Sequence, residues 1–302
     1  MFPTPAAGSF LAVAPDGSTW FAGEDIVKIA INGRLTLVAS GVKCRAKPAF
    51  RGDGALVCPG QSATEDVLQI VEPTGRVETV SLGTFVGVGS LIAAPDGTIL
   101  FMESQTRLGR LTQDGVVTHI ELPPAFVPRA LAVAADGAIW FIAGRTLVRL
   151  IGDRTYDFFR DDALFERRNP GTVFSALVAG SDGTLWLTIP TENRTSQYHR
   201  TGAIVAFTPD GSFHEELVIS SPTLLAAAPD ASVWFIRDIP PGFFGPDTPT
   251  LVHLSRQSEP REFGVPYGFW PVTVFELAVD LHGRPWLRLT DPIAGPRIAV
   301  LR

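Results

Sequence analysis

The chain has little of what most function classes require. Its 302 residues contain only two cysteines, Cys44 and Cys58, so neither a disulfide framework nor a zinc cluster of about four close ligands is available. It has no basic stretch longer than Arg167-Arg168, and 25 Lys+Arg against 31 Asp+Glu leave a net charge of −6. The electrostatic footprint of a nucleic-acid or anionic-membrane partner is therefore missing, and neither partner is expected. No apolar run approaches the ~18 residues of a membrane helix, and Met1-Phe2-Pro3-Thr4-Pro5 has neither the basic start nor the apolar core of a leader. The expectation is a soluble monomer, cytoplasmic as the chain stands, or secreted or periplasmic if a leader has been removed. A Walker loop, Gly-x-Ser-x-Gly, His-Glu-x-x-His and an EF-hand ladder are all absent.

What the chain does have is a repeat. A small apolar run, Asp-Gly, two residues and then Trp-Phe or a stand-in recur seven times, anchored on Asp16, Asp53, Asp96, Asp136, Asp182, Asp230 and Asp280. Successive anchors lie 37, 43, 40, 46, 48 and 50 residues apart, the length of a four-stranded propeller blade. Asp-Gly supplies the positive φ that a tight hairpin needs, so each anchor reads as two strands. A second apolar hairpin follows in most repeats, as at Asn32-Gly33, Asp114-Gly115 and Asp210-Gly211, making four. The Trp positions (Trp20, Trp140, Trp186, Trp234, Trp286), with Val57 and Leu100 as stand-ins, suit wedges between neighbouring sheets.

After Trp286 there is chain enough for a third strand, up to Ile298-Ala-Val-Leu-Arg302, but none for a fourth. The N-terminal segment supplies it and removes two open sheet edges. The fold class is therefore all-β, a single seven-bladed β-propeller over residues 1–302 closed by an N-terminal outer strand. Cys44 and Cys58 fall 14 residues apart in one repeat; a disulfide and two buried thiols both remain open.

The third repeat carries a resemblance. It has Glu103 after the Trp-Phe position, then Arg107-Leu108-Gly109-Arg110-Leu111-Thr112, then His119-Ile120-Glu121-Leu122-Pro123. This resembles the repeat of the streptogramin (virginiamycin B) lyase family, and the likeness runs along the whole chain, most clearly in the third and fourth repeats. The resemblance implies a metal-dependent, Mg²⁺-assisted lyase that opens a cyclic depsipeptide by elimination, with His and Glu at the inner rim of the late blades, commonly in a Pro-His-Gly-Ile segment. The matching segments here are Pro128-Arg129-Ala130-Leu131, Pro222-Thr223-Leu224-Leu225 and Phe275-Glu276-Leu277-Ala278, and none contains His. The family's Glu survives as Glu103, while Arg237 and Leu289 take its place in the sixth and seventh repeats.

Strand parity puts every Asp-Gly turn at one end of the sheets and the longest connections at the other, where binding normally sits. The residues singled out there are Glu103 and Glu276 as candidate catalytic or metal-holding carboxylates. Arg129, Tyr198, His199, Arg237, Phe243, Phe244, Tyr267, Trp270 and Arg288 are the candidate ligand-binding residues. Glu103 with Arg129, or Glu276 with Arg288 or Arg237, read equally as structural ion pairs. The first functional reading is a binding or sensor propeller that has lost the lyase histidines and engages a small molecule, peptide or protein on the long-loop face. The alternative is a diverged Mg²⁺-dependent lyase acting on a cyclic depsipeptide or similar ester through Glu103 and Glu276, which would make Mg²⁺ its only cofactor.

Overall fold

The computed structural model describes residues 2–3, 10–30, 32, 34–84, 87–89, 91–104, 106–123, 127–152, 155–166, 173–190, 201–220, 222–239, 248–265, 273–291 and 295–301. Seven four-stranded antiparallel sheets, the blades of a β-propeller, follow one another along the chain. In blades 1 to 6 the strands pair in chain order. In blade 7 the order runs Thr273–Val279, Pro285–Asp291, Gly295–Val300 and then Phe2–Pro3, so the N-terminal strand completes the last sheet. The one described helix, Ala163–Glu166, is a single turn. No described helix is long and apolar enough to cross a membrane.

Residue contacts group into two compact units, residues 1–128 with 280–288 and 298–302, and residues 129–279 with 289–297. Within the first unit the first strands of blades 1, 2 and 3 adjoin in turn; within the second, those of blades 4, 5, 6 and 7 do the same. The expected wedges are present in both. Trp20 of blade 1 meets Phe50 of blade 2 edge-on at 5.2 Å, and Val57 of blade 2 packs with Leu91, Ile99 and Phe101 of blade 3. In the second unit Trp140 of blade 4 packs among Leu185, Leu187 and Phe207 of blade 5. Trp186 of blade 5 packs on Val233 and Phe235 of blade 6 and donates its indole N–H to the Ala231 carbonyl.

The Asp-Gly hairpins form for the reason the sequence suggests. Gly17 sits at φ +79°, its N–H donates to the Ala14 carbonyl, and the Asp16 carboxylate accepts the Ser18 N–H. Asp53, Asp96, Asp136, Asp182 and Asp230 each accept the N–H two residues on in the same way. Blade 7 departs from the expected anchor. Its turn falls at His282-Gly283, with Gly283 at φ +76°, two residues beyond Asp280. Asp280 takes the place that Ala14 holds in blade 1, its N–H bonded to the Arg284 carbonyl as Ala14's is to Ser18. In blade 6 the turn glycine is replaced by Ala231, which keeps φ at +65°.

Gly109 needs its lack of a side chain for a different reason. It lies opposite Phe101 in the ladder, and a Cβ there would stand 2.2 Å from the ring's Cζ. The ring is wholly buried and has no room to retreat. Gly109→Ala is expected to lower stability by about 2 kcal/mol, the usual cost of overpacking a filled core. Urea unfolding checks this, and an unchanged midpoint would show that the ring shifts freely.

Candidate functional site

In each blade the Asp-Gly turn, or its Asp230-Ala231 or His282-Gly283 counterpart, joins the first and second strands. Antiparallel pairing therefore sends the second-to-third connection, and the start of the first strand, to the opposite end. The connections spanning 190–200, 240–247 and 265–272 leave from that end. Six of the residues singled out there, Tyr198, His199, Phe243, Phe244, Tyr267 and Trp270, lie outside the described residues. The other five are placed.

Glu103 ends the second strand of blade 3, Ile99–Ser104, where the pairing slips between Met102 and Ser104. A bulge of this kind re-aims a side chain. Here it leaves Glu103 with no exposed surface and its Oε2 2.6 Å from Arg107 Nε and 2.8 Å from His119 Nδ1. Its other oxygen, Oε1, has no hydrogen-bond partner among the described residues. The pairing with Arg129 read from the sequence is not made: both partners of Glu103 belong to its own blade. His119 lies on the fourth strand, and Gly109, without a side chain, separates it from the Phe101 position. The sequence pointed to neither partner, although Glu103 and His119 are 16 residues apart in the repeat that carried the resemblance.

Blade 6 builds a matching contact with the acid on the fourth strand instead of the second. Arg237 occupies the Glu103 position, and its Nη2 lies 2.8 Å from Glu262 Oε2. Glu262 stands opposite Val252 and Phe235 in register, as His119 stands opposite Gly109 and Phe101. A polar side-chain bridge from second to fourth strand is thus found in two blades. Arg237 is not paired with Glu276, which is buried in the middle of blade 7's first strand, Thr273–Val279. Arg129 is exposed two residues ahead of blade 4's first strand, Leu131–Val133, and Arg288 is half-buried in blade 7's second strand.

One further cluster has the composition of a nucleophilic triad. In blade 6 Ser232 donates to Asp230, and its Oγ lies 2.6 Å from His253 Nε2. The hydroxyl proton is directed at the carboxylate rather than the imidazole, so the ring donates and nothing activates the serine. His253 stacks on Trp234 at 4.5 Å. Burial holds its imidazole below the ordinary range against the pull of Asp230, with Arg261 adding to the depression. The same position, opposite the Trp, carries Lys28 in blade 1 and Arg149 in blade 4, each bonded to its turn aspartate. His253 is therefore the blade 6 form of a structural hydrogen-bond donor.

A cleft of about 340 Å³ opens between blades 1 and 2, lined by Asp16, Trp20, Lys28, Leu37, Asp53 and Pro73 among others. It lies at the Asp-Gly end, away from the long connections. Its charges are already matched, Asp16 by Lys28 at 3.2 Å and Asp53 by Arg51 at 2.6 Å.

A divalent cation of the kind the resemblance implies needs convergent oxygen ligands. Among the described residues no three His, Cys, Asp or Glu side chains stand together as a metal site. The carboxylate oxygen of Glu103 that has partners is held by an arginine and a histidine, the reverse of the surroundings a cation requires. The described residues do not fit the metal.

Residues 49–239 match a protein-family model described as the virginiamycin B lyase family. A virginiamycin B lyase of Nocardia farcinica (strain IFM 10152) is 32% identical over 193 residues, covering 60% of this chain and 63% of that protein. The match thus spans less than two thirds of this relative's length. Among solved structures, a streptogramin B lyase superposes with a TM-score of 0.69 at 16% identity, covering 99% of this chain and 95% of that one. The selenomethionine-substituted virginiamycin B lyase from Staphylococcus aureus gives 0.66 at 17% identity, covering 97% and 94%. At such identities the structural likeness speaks for the fold alone.

Proposed function

This chain belongs to the virginiamycin B lyase family, and from that premise we propose that it is a binding member that has given up the family's chemistry. The observation that carries this reading is the state of Glu103. Elimination needs a base free to take a C–H proton and an electrophile to stabilise the carbanion that forms. The one glutamate aligned with the family's is wholly buried and tied by one carboxylate oxygen to Arg107 and His119. Its counterpart pair, Arg237 with Glu262, has no carboxylate at that position at all. Arg129 and Thr223 stand where the family's rim histidines would. What remains at the long-loop end is a rigid scaffold carrying exposed polar and apolar groups, which suits recognition of a small molecule or peptide.

The test is a chromatographic assay of a streptogramin B depsipeptide incubated with the protein, with Mg²⁺ and again with chelator. Elimination leaves the mass unchanged, so the opened chain is read by its retention. The expected result is no opening above the protein-free control in either condition. Metal-dependent opening that Glu103→Gln abolishes would overturn the proposal in favour of a diverged lyase.

A further inference from the structure

We infer that the rim made by the starts of the first strands of blades 4, 5 and 6 binds an amphipathic ligand by its carboxylate, the class of an acylated amino acid or peptide C-terminus. The inference rests on the binding reading above and names the ligand's chemistry. These strands adjoin in order within one compact unit.

The cation is Arg129. Its backbone is fixed to the blade, its N–H donating to the Ile142 carbonyl at 3.0 Å while the carbonyl of the next residue, Ala130, accepts from Ile142 N–H at 3.1 Å. Its side chain is exposed and, among the described residues, has no hydrogen bond or ion pair. Other arginines of the same unit are committed: Arg149 to Asp136, Arg160 to Asp162, Arg237 to Glu262 and Arg256 to Glu216. An unpaired guanidinium on a rigid strand is a planar fork matched to a carboxylate. Arg145, in the blade 4 turn at the same end, lies over the Phe165 ring at 4.8 Å, which leaves Arg129 as the cation for a single carboxylate.

The next two blades add hydroxyls and then apolar surface. Ser175 is exposed at the start of blade 5's first strand, its Oγ 2.6 Å from Thr188 Oγ1. Thr223 is exposed at the start of blade 6's, its hydroxyl donating to the Ile236 carbonyl at 3.3 Å and left with its lone pairs to accept. Leu224, the residue after it, is held at φ +52° where the pairing slips between Thr223 and Ala226. Glycine adopts that conformation freely and leucine does not. The bulge is what places the residue in that region. Leu225 packs against the blade 6 core, whereas Leu224 is half-buried outside it. Strained residues gather at ligand contacts, and this one lies at the rim.

Phe275, 47% exposed, continues the apolar side at the start of blade 7. Glu276 beside it is acidic, so the ligand's carboxylate belongs at the Arg129 end and its apolar body toward blade 6.

The experiment is a ligand-observed NMR titration with N-acetyl-Leu-Phe as the free acid and as its C-terminal amide. The acid is expected to bind at least ten times more tightly. Arg129→Ala should erase that difference and leave amide binding unchanged. Leu224→Gly should weaken both ligands while melting no lower than the parent chain, a combination that a purely structural leucine would not give. Equal, Arg129-independent binding of acid and amide overturns the carboxylate assignment and leaves the binding reading standing. Saturable binding of neither overturns the assignment too, whereas metal-dependent ring opening in the depsipeptide assay removes the binding reading itself.

Discussion

Replacing Asp280 by Ala is expected to cost the fold about 3 kcal/mol, more than any exposed turn aspartate would. Asp280 is 1% exposed, and its carboxylate accepts four hydrogen bonds: from the N–H groups of His282 and Arg284 at 2.9 and 3.0 Å, from Arg284 Nε at 2.7 Å and from the Trp286 indole at 3.1 Å. Trp286 is itself buried. Truncation would leave the indole and two backbone N–H groups facing a void, and a buried donor without an acceptor costs about 1–3 kcal/mol. Asp280→Asn keeps one acceptor oxygen and should lose less. Asp280 does the work of a turn aspartate from two residues earlier, at the end of the first strand and at the place that Ala14 holds in blade 1.

The same residue sets an acid dependence. Burial pushes the Asp280 carboxyl up, but the bonds from Arg284, Trp286 and His282 outweigh burial and hold it below the ordinary carboxylate range. In the unfolded chain it returns to about 3.9. Below that value the unfolded state binds the proton first. The contribution is therefore complete above about pH 4 and is lost as pH falls through the depressed folded value. Chemical unfolding at pH 7 and pH 3 checks both statements. The gap between parent and Asp280→Ala should shrink at pH 3, and a gap of less than about 0.5 kcal/mol at pH 7 would refute the role given to these bonds.

Asp280 also shows where the sequence was legible and where it was not. The repeat could be read because its signals are local: Asp-Gly demands a left-handed residue, a Trp-sized side chain demands a wedge, and both recur at blade length. The strand borrowed from the N-terminus followed from counting. The seventh anchor misled because Asp, two residues early, does the turn's work from the strand side, and only the backbone reveals that His282-Gly283 makes the turn.

The bridges at Glu103 and Arg237 were invisible for a related reason. They join second to fourth strands, so their partners depend on the register of the strand between and, in blade 3, on a bulge. Leu224 gave a faint signal, a leucine at the glycine place of a Pro-x-Gly-Ile frame, but its positive φ had to be seen.

The second large effect is expected at Cys44 and Cys58, whose spacing left the bond open and which the structure joins. Blade 2 has the least-supported first strand of the described blades, Ala49–Phe50, which pairs with its neighbour only through Ala49 opposite Val57 and Phe50 opposite Leu56. The connection ahead of it, residues 41–48, has no regular structure. Besides the disulfide, it is held to the second strand by Arg45 N–H donating to the Pro59 carbonyl at 2.8 Å. Cys58 is fully buried among Trp20, Phe50, Leu56 and Val71. The bond thus does for this strand what longer ladders do elsewhere.

Closing a loop of 14 residues removes unfolded-state freedom of about 3 kcal/mol. The double replacement of Cys44 and Cys58 by Ala, or reduction by dithiothreitol, should lower the unfolding free energy by about 3 kcal/mol, read as a lower urea midpoint. It should also speed amide exchange at Ala49 and Phe50 well before exchange rises in the Trp186 core, because the ladder left behind has only two rungs to hold against local opening. Equal midpoints for oxidised and reduced protein would show that the packing of Cys58, and not the covalent link, keeps this strand in place.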